Sequence, residues 1–343
     1  MLGAITEREI RSQPHVWRSV LVRLADDADE LTGLLRGAGD VVLVGCGSSY
    51  YGAVATAELV RRGGVAALPI ASSDYVQRPP AGRALPDRDR LLVAFSRSGR
   101  TSETCEAIDV FRQRHPAGTA IAVTCDSESP MAERAHQAIV IPEAQEEAIP
   151  QTRSVSAIWL LALLVGARLR GIDARPDVTR AADWILQREE TLWEQLAAAI
   201  DGFQRFMLLG GGIGFALAHE ANLKVTEMAR ADSWAYLTLE FRHSALEVID
   251  ERALLVAPLG DEPTTAEAEA IEEAARFAGA RLDVPALLEL PPGPGAVLGQ
   301  LYALHAVALL IARSAGRDCD VLDRLERFVE TRSLALEAPG ARA

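Results

Sequence analysis

The sequence predicts an α/β protein built on parallel β-sheets whose two faces are covered by helices. Short, continuous apolar runs alternate with helical stretches along the chain, and such runs are typical of strands buried on both faces. Two of these runs, at residues 41–44 and 91–95, lead directly into glycine and serine residues. Ligands of open parallel sheets bind beyond the carboxyl ends of the strands, so these two turns are the first candidate site.

The second half of the chain repeats the first half's alternation of apolar runs and helical stretches. Residues 206–212 resemble residues 41–47, and two further segments repeat at similar separations, with offsets of 161 to 165 residues. Nearly constant offsets indicate two copies of one α/β domain. We therefore expect four parts: an N-terminal helical arm at 1–36, a first domain at 37–170, a linker helix at 171–198, and a second domain with a C-terminal tail at 199–343.

The arm is expected to be a helix over residues 10–35, with Pro14 in its first turn, where a missing N–H costs nothing. The apolar stretches at 157–169 and 301–312 fall short of the roughly 20 residues of a membrane span and indicate buried core helices. No secretory signal is recognisable at the N-terminus, so a cytoplasmic protein is expected.

The composition of the chain excludes several classes of partner and cofactor. The formal net charge of −13 argues against a nucleic-acid partner. The four cysteines and six histidines are scattered, with neither C-x-x-C nor H-E-x-x-H spacing. We therefore expect no metal and no other cofactor.

Hydroxyl groups and arginines are concentrated at the two strand ends. Glycines let a ligand approach the backbone, while hydroxyls and free helix N–H groups can surround an anion. Taken alone, each segment could also be an ordinary strand–helix turn with nothing bound. The candidate binding residues are Cys46, Gly47, Ser48, Ser49, Ser96, Arg97, Ser98 and Thr101.

Two polar motifs occur in the second half. Helical spacing puts Glu220, Lys224 and Glu227 on one face, which on an arbitrary helix would be a solvated row of ion pairs. His243 lies sixteen residues after Glu227 and, taken alone, would be a hydrogen-bonded structural histidine.

These motifs together resemble the double sugar isomerase (SIS) domain family, which includes the isomerase half of glucosamine-6-phosphate synthase and stand-alone sugar-phosphate isomerases and deaminases. Residues 9–14 resemble its E-I-x-x-Q-P arm. Residues 45–49 and 96–101 match its G-C-G-[ST]-S and S-x-S-G-x-T loops, and residues 149–153 resemble its V-A-x-T-[KR] loop. The resemblance implies two tandem flavodoxin-like, doubly wound domains, each a three-layer α/β/α sandwich.

The resemblance also assigns roles. It implies that the two loops and Gln151 bind a phosphorylated sugar or amino sugar. It implies that Glu227 moves a proton between carbons 1 and 2, with Lys224 beside it. His243, supplied by the neighbouring subunit of a homodimer, would open the sugar ring.

Two departures change the expected reaction. Arg332 occupies the place of the lysine that forms an imine with the ketose in the synthases, and arginine cannot readily form one. We expect Arg332 to bind the substrate instead. A glutaminase half with its N-terminal cysteine is missing, which argues against glutamine-dependent amination.

The expected function is therefore a sugar-phosphate aldose–ketose isomerase or an amino-sugar-phosphate deaminase. The alternative is a non-catalytic sugar-phosphate sensor that regulates a partner protein. Such a sensor would need neither Glu227 nor His243.

Overall fold

The computed structural model describes residues 1–80 and 86–325. Its helices are α1 (Ala4–Gly37), α2 (Ser48–Arg62), α3 (Ser72–Gln77), α4 (Ser102–Arg114), α5 (Pro130–Arg134), α6 (Arg153–Leu169), α7 (Arg175–Ile200), α8 (Ile213–Lys224), α9 (Thr238–Phe241), α10 (Thr265–Ala275), α11 (Val284–Leu288) and α12 (Pro294–Ser314). Its strands are β1 (Asp40–Gly45), β2 (Ala67–Ala71), β3 (Arg90–Phe95), β4 (Thr119–Thr124), β5 (Gln137–Val140), β6 (Arg205–Gly210), β7 (Asp232–Leu237), β8 (Ala253–Ala257) and β9 (Ala280–Asp283).

The strands form two sheets, and every strand pair is parallel. The first sheet has the order β2-β1-β3-β4-β5, and the second has the order β7-β6-β8-β9. The order of the first sheet is that of flavodoxin-like doubly wound proteins. The predicted α/β class with parallel sheets is confirmed.

The chain divides into two compact units. The first-sheet unit consists of Val22–Gln145 and Ala157–Ile172, and the second-sheet unit consists of Met1–Leu21, Glu146–Ser156 and Asp173–Leu325. The four-part division expected from the sequence remains a prediction.

In the first-sheet unit, β1 and β3 are buried along almost their whole length and lie side by side, with Val44 opposite Ala94. Apolar side chains of both strands pack against α4 in one core cluster. Because the two strands are parallel neighbours, the loops that follow them lie at the same edge of the sheet.

In the second-sheet unit, α12 is a core helix. It is long and apolar enough to cross a membrane, but 94% of its most apolar window is buried inside the protein. At 21 residues it is longer than the sequence indicated. Its burial agrees with the expectation of a core helix.

The two sheets repeat a turn in detail. Gly47 precedes α2 with φ 55° and ψ −127°, and Gly212 precedes α8 with φ 53° and ψ −125°. A side chain is strained at such positive φ values, so both copies require glycine here. This match supports the repeat inferred from the offsets.

The expected position of Pro14 is wrong. Helix α1 begins at Ala4, so Pro14 lies inside the helix rather than in its first turn. Its start is fixed by a distant carboxylate: the backbone N–H groups of Ile5 and Thr6 donate to Asp320 over 2.7 and 2.9 Å. Because this cap comes from the far end of the chain, local sequence could not reveal where the helix begins.

Candidate functional site

The first loop leads from β1 into α2. Ser48 and Ser49 are both buried in the first turn of this helix, and no side chain caps the helix at Gly47. Helix first-turn N–H groups that lack a side-chain cap can bind an anion, which the helix dipole also favours. The loop therefore offers backbone donors and two hydroxyls to a phosphate group.

The second loop leads from β3 into α4. The Oγ of Ser96 accepts a hydrogen bond from the backbone N–H of Gly99 over 3.1 Å, and the Oγ of Ser98 accepts one from Arg100 over 3.2 Å. Thr101 directly precedes α4, and its side chain makes no capping hydrogen bond to the helix. The predicted hydroxyls thus lie together at an open helix start.

The two arginines of this loop differ. Arg97 is buried, with 2% of its surface exposed, and its backbone carbonyl accepts hydrogen bonds from Cys125 and Thr124. Arg100 is exposed and pairs with Asp126 over 3.0 Å. The charge of Arg100 is thus paired with Asp126 at the surface, whereas Arg97 is buried at the end of β3.

Two residues of this region escaped the sequence analysis. Ser72 follows β2 directly, and its Oγ lies 3.1 Å from the Oγ1 of Thr104. Thr104 in turn lies 3.8 Å from the Sγ of Cys46. Burial raises the pKa of the Cys46 thiol despite these hydroxyls, so Cys46 is a neutral thiol here and not a reactive thiolate.

The second copy of the turn is closed to an anion. A side chain at Gly211 would collide with the carboxylate of Glu267, which therefore lies against this turn. A carboxylate in this place repels a phosphate group. Among the described residues, the turn of the first copy is therefore the better candidate for an anion site.

The polar face of α8 is buried. Lys224 Nζ lies 2.7 Å from Oε1 of Glu227 and 3.3 Å from Oε1 of Glu220, which confirms that the three share one face. Lys224 and Glu220 have 1% and 0% of their side chains exposed, and Glu227 has 15%. A solvated row of ion pairs is therefore the wrong interpretation of this motif.

The neighbouring carboxylates keep Lys224 protonated. Burial opposes its ammonium charge, but the carboxylates of Glu220 and Glu227 outweigh burial and raise the pKa of Lys224 above its ordinary value. Lys224 is thus a fixed cation beside a partly accessible carboxylate. Such a pair suits the transfer of a proton next to a developing negative charge.

Lys224 is also the only lysine in the sequence, whereas arginine occurs throughout the chain. This signal was present in the sequence and was missed. Arginine replaces lysine readily on a surface, but its rigid, planar fork does not fit a site shaped for a compact ammonium group.

Glu227 lies in a π-helical turn, Val225–Ala229, that continues α8. The next residue, Arg230, takes a left-handed conformation with φ 51°. Turns of this kind are frequent at functional sites. Here the turn ends the helix directly after the Lys224–Glu227 pair.

The loop that carries Gln151 is folded around Glu146. The Glu146 carboxylate accepts hydrogen bonds from the backbone N–H groups of Thr152, Arg153 and Ser154 and from two hydroxyls. The charge of Glu146 also contributes to the raised pKa of Lys224. Glu146 therefore supports both the loop and the lysine, although no sequence motif indicates this role.

Two predicted residues stand apart. His243 is exposed in the turn after α9, and within the described residues its ring makes no hydrogen bond. The structure thus does not join it to Lys224 or Glu227 by any contact. Arg332 lies outside the described residues.

No group of three or more histidine, cysteine, aspartate or glutamate side chains within residues 1–80 and 86–325 is arranged to hold a metal ion.

Comparisons with known proteins identify a family. The SIS domain matches residues 34–166. The proposed D-galactosamine-6-phosphate deaminase AgaS of Streptomyces coelicolor is 30% identical over 280 residues, which cover 76% of this chain and 71% of AgaS. The glutamine–fructose-6-phosphate aminotransferase of Aeropyrum pernix is 27% identical over 336 residues, which cover 89% of this chain but only 53% of that enzyme.

A solved structure shares the fold. The glucosamine-6-phosphate deaminase of Thermotoga maritima superposes with a TM-score of 0.78 at 23% identity, covering 95% of this chain and 99% of that one. The fold is that of an α/β protein with parallel sheets, shared with proteins that are named for phosphorylated sugars. The chain belongs to the SIS domain family, and its relatives there are sugar-phosphate isomerases, deaminases and aminotransferases.

Proposed function

We propose that this chain is an enzyme that moves a proton between carbons 1 and 2 of a hexose phosphate. The observation that carries the proposal is the Lys224–Glu227 pair: the only lysine of the chain is buried and donates over 2.7 Å to a carboxylate that is still partly exposed.

The mechanism assigns one task to each group. The Glu227 carboxylate takes the proton from carbon 2 and returns it to carbon 1. The Lys224 ammonium stabilises the negative charge of the enediol or enolamine that forms in between. A well-placed general base contributes about 10²–10⁴-fold to such a step.

The substrate is proposed to be an amino-sugar phosphate. Proton transfer from carbon 2 to carbon 1 converts the amine on carbon 2 into an imine, and water then releases ammonia and leaves the ketose phosphate. The similarity to AgaS and to the Thermotoga maritima deaminase supports this choice. With a hydroxyl on carbon 2, the same transfer is an aldose–ketose isomerisation.

The phosphate group is proposed to be held by the loops of the first sheet, through Ser48, Ser49, Ser96, Ser98 and Thr101. These loops form one of two tandem SIS domains in this proposal. Gln151 and Arg332 are proposed as further substrate contacts.

We also propose a cytoplasmic homodimer. His243 is exposed, and in this proposal it serves the reaction of the neighbouring subunit, as the family resemblance implies. The exposed apolar residues Trp234, Leu237 and Leu239 lie on and just after the edge strand β7, where a second copy could cover them. Light scattering during gel filtration measures the mass, and a monomer at micromolar concentration would contradict this part of the proposal.

The function is tested by incubating the protein with 6-phosphates of glucosamine, galactosamine, glucose and fructose in deuterium oxide. We expect ammonia release from an amino sugar and deuterium at carbon 1 of the product. Binding of a sugar phosphate without any exchange would favour the sensor, in which the same fold only reports the ligand.

A further inference from the structure

A line of buried polar side chains leads to Lys224 through Glu220. Gln13 of α1, His305 of α12 and Glu220 of α8 are all fully buried. Burying polar groups in an apolar core is costly unless each one finds a partner. The burial of three such groups, each from a different helix, therefore needs a structural or functional explanation.

The contacts fix the state of the imidazole. The amide nitrogen of Gln13 lies 3.1 Å from Nδ1 of His305. An amide NH₂ group only donates, so Nδ1 is the acceptor and the neutral ring carries its proton on Nε2. That Nε2 lies 3.6 Å from Oε1 of Glu220.

Glu220 connects His305 to Lys224, because its Oε1 lies near both side chains. Within the described residues, the carboxylate oxygens of Glu220 make no hydrogen bond. The negative charge of Glu220 is balanced by the Lys224 ammonium group, 3.3 Å away. The ring N–H of His305 points at the same carboxylate from 3.6 Å. A buried carboxylate with few donors is sensitive to the loss of any one of them. The position of Glu220 thus depends on the imidazole, and that of Lys224 depends on Glu220.

Another buried network on α12 shows what a purely structural role looks like. Tyr302 accepts a hydrogen bond from Trp193 and donates one to Glu189, which pairs with Arg11 near the surface. Every group there has a partner. The line through His305 differs, because it ends on Lys224 and has unsatisfied atoms at Glu220 and at Nε2 of His305.

We infer that Gln13 and His305 are positioning residues: they hold Glu220 beside Lys224, and so direct the Lys224 ammonium group toward Glu227. This inference rests on the proposed function insofar as Glu227 is the group that moves the proton. The geometry of the four contacts is independent of any substrate.

The surrounding charges are consistent with a neutral imidazole. Burial lowers the pKa of His305, against the opposite effect of Glu220, so the ring carries no charge near pH 7. Lys224 on α8 also disfavours a charged ring, whereas Glu146 on the loop before α6 favours one. The same Glu146 supports the charge of Lys224, together with Glu220 and Glu227.

The test uses the single lysine of the full-length protein. With ¹³Cε-labelled lysine and a lysine-free purification tag, the NMR spectrum contains one lysine signal, and its titration follows Lys224 without any substrate. For His305→Leu, which removes the ring N–H that faces Glu220 at 3.6 Å, we expect the titration midpoint of Lys224 to fall by about one pH unit or more. His305→Gln should stay near wild type, because its amide can donate to Glu220 and accept from Gln13.

Tyr302→Phe is the matched control, since it removes the two hydrogen bonds of a buried hydroxyl on the same helix. We expect it to lower the melting temperature and leave the Lys224 midpoint unchanged. If activity is present, His305→Leu should lower kcat with little change in KM, and His305→Gln should restore it.

An unchanged Lys224 midpoint in His305→Leu would overturn the inference. If that variant does not fold, ¹⁵N spectra of wild-type histidines decide, because the inference requires a neutral His305 with its proton on Nε2, and a proton on Nδ1 would overturn it. Both spectra are recorded without substrate, so a lack of turnover in the wild type would contradict only the proposed function.

Discussion

Lys224 Nζ lies 2.7 Å from Oε1 of Glu227, and this pair is buried on the lysine side and open on the carboxylate side. The lysine therefore cannot exchange its partner for water, whereas the carboxylate can reach a ligand. The following expectations depend on this asymmetry and on the groups around it.

Removing the lysine charge should destabilise the protein strongly. In Lys224→Met, Glu220 would be left as a buried carboxylate without a cation, which costs about 3–5 kcal/mol. The double variant Lys224→Met, Glu220→Gln should recover part of that loss, because the unpaired charge is gone. Urea unfolding measures both values, with the exposed Arg252→Met as a control that should change little.

A double variant no more stable than Lys224→Met alone would show that Glu220 is not the group that the lysine neutralises.

No imine should form between this chain and its sugar. The only lysine is buried, is paired with two carboxylates and has a raised pKa, and an imine needs an unprotonated, accessible amine. Borohydride reduction in the presence of a ketose phosphate should therefore leave the mass of the protein unchanged. Peptide mapping that finds a hexose phosphate on Lys224 would contradict this expectation.

Loss of one loop hydroxyl should weaken binding more than turnover. Ser98→Ala removes a candidate phosphate donor, and a hydrogen bond to a charged group is worth about 1.5–3 kcal/mol. We expect KM to rise about 10- to 100-fold with kcat within a few-fold of wild type. The exposed Ser127→Ala in the same unit is the matched control.

Equal KM values in Ser98→Ala and Ser127→Ala would remove Ser98 from the phosphate site.

The pH dependence of stability should contain a contribution from Glu9. Burial and the nearby charge of Glu146 raise the pKa of Glu9 to about 7, against two backbone N–H donors. Between its ordinary value and about 7, the folded protein holds a proton that the unfolded chain releases, so the free energy of unfolding falls as pH rises through this window. Above about pH 7, Glu9 is ionised in the folded protein as well, and this contribution to stability is fully lost.

Glu9→Gln should remove this dependence of the free energy of unfolding on pH. The difference in stability between the variant and the wild type should therefore shift in favour of the variant as the pH rises from 5 to 8. Melting temperatures at both pH values measure it. Glu147→Gln, which changes an exposed carboxylate in the loop that contacts Glu9, should run parallel to wild type. A Glu9→Gln curve that also runs parallel would refute the assignment.

Much of the fold followed from local patterns. Buried runs such as those of β1 and β3 are apolar throughout, so the sequence marks them clearly. Strand β7 was missed because it lies at the edge of the second sheet, and its residues alternate between partly buried and exposed. A pattern search for continuous apolar runs cannot find such a strand.

The candidate site was predictable to a similar degree. Helical spacing placed Glu220, Lys224 and Glu227 on one face, but nothing in that spacing told a buried face from a solvated one. The parts that tertiary structure supplies remained hidden: Ser72 comes from a neighbouring strand, and His305 reaches Glu220 from a helix 85 residues away along the chain. The π-helical turn at Glu227 likewise had no local signal.

The central claim is that Glu227 moves the proton between carbons 1 and 2. The most direct measurement is the rate at which solvent deuterium enters carbon 1 of the product, compared between wild type, Glu227→Gln and the exposed control Glu251→Gln. We expect Glu227→Gln to lose at least about 10²-fold in rate while still binding the sugar phosphate, and Glu251→Gln to match wild type. Exchange at the wild-type rate in Glu227→Gln would contradict the account.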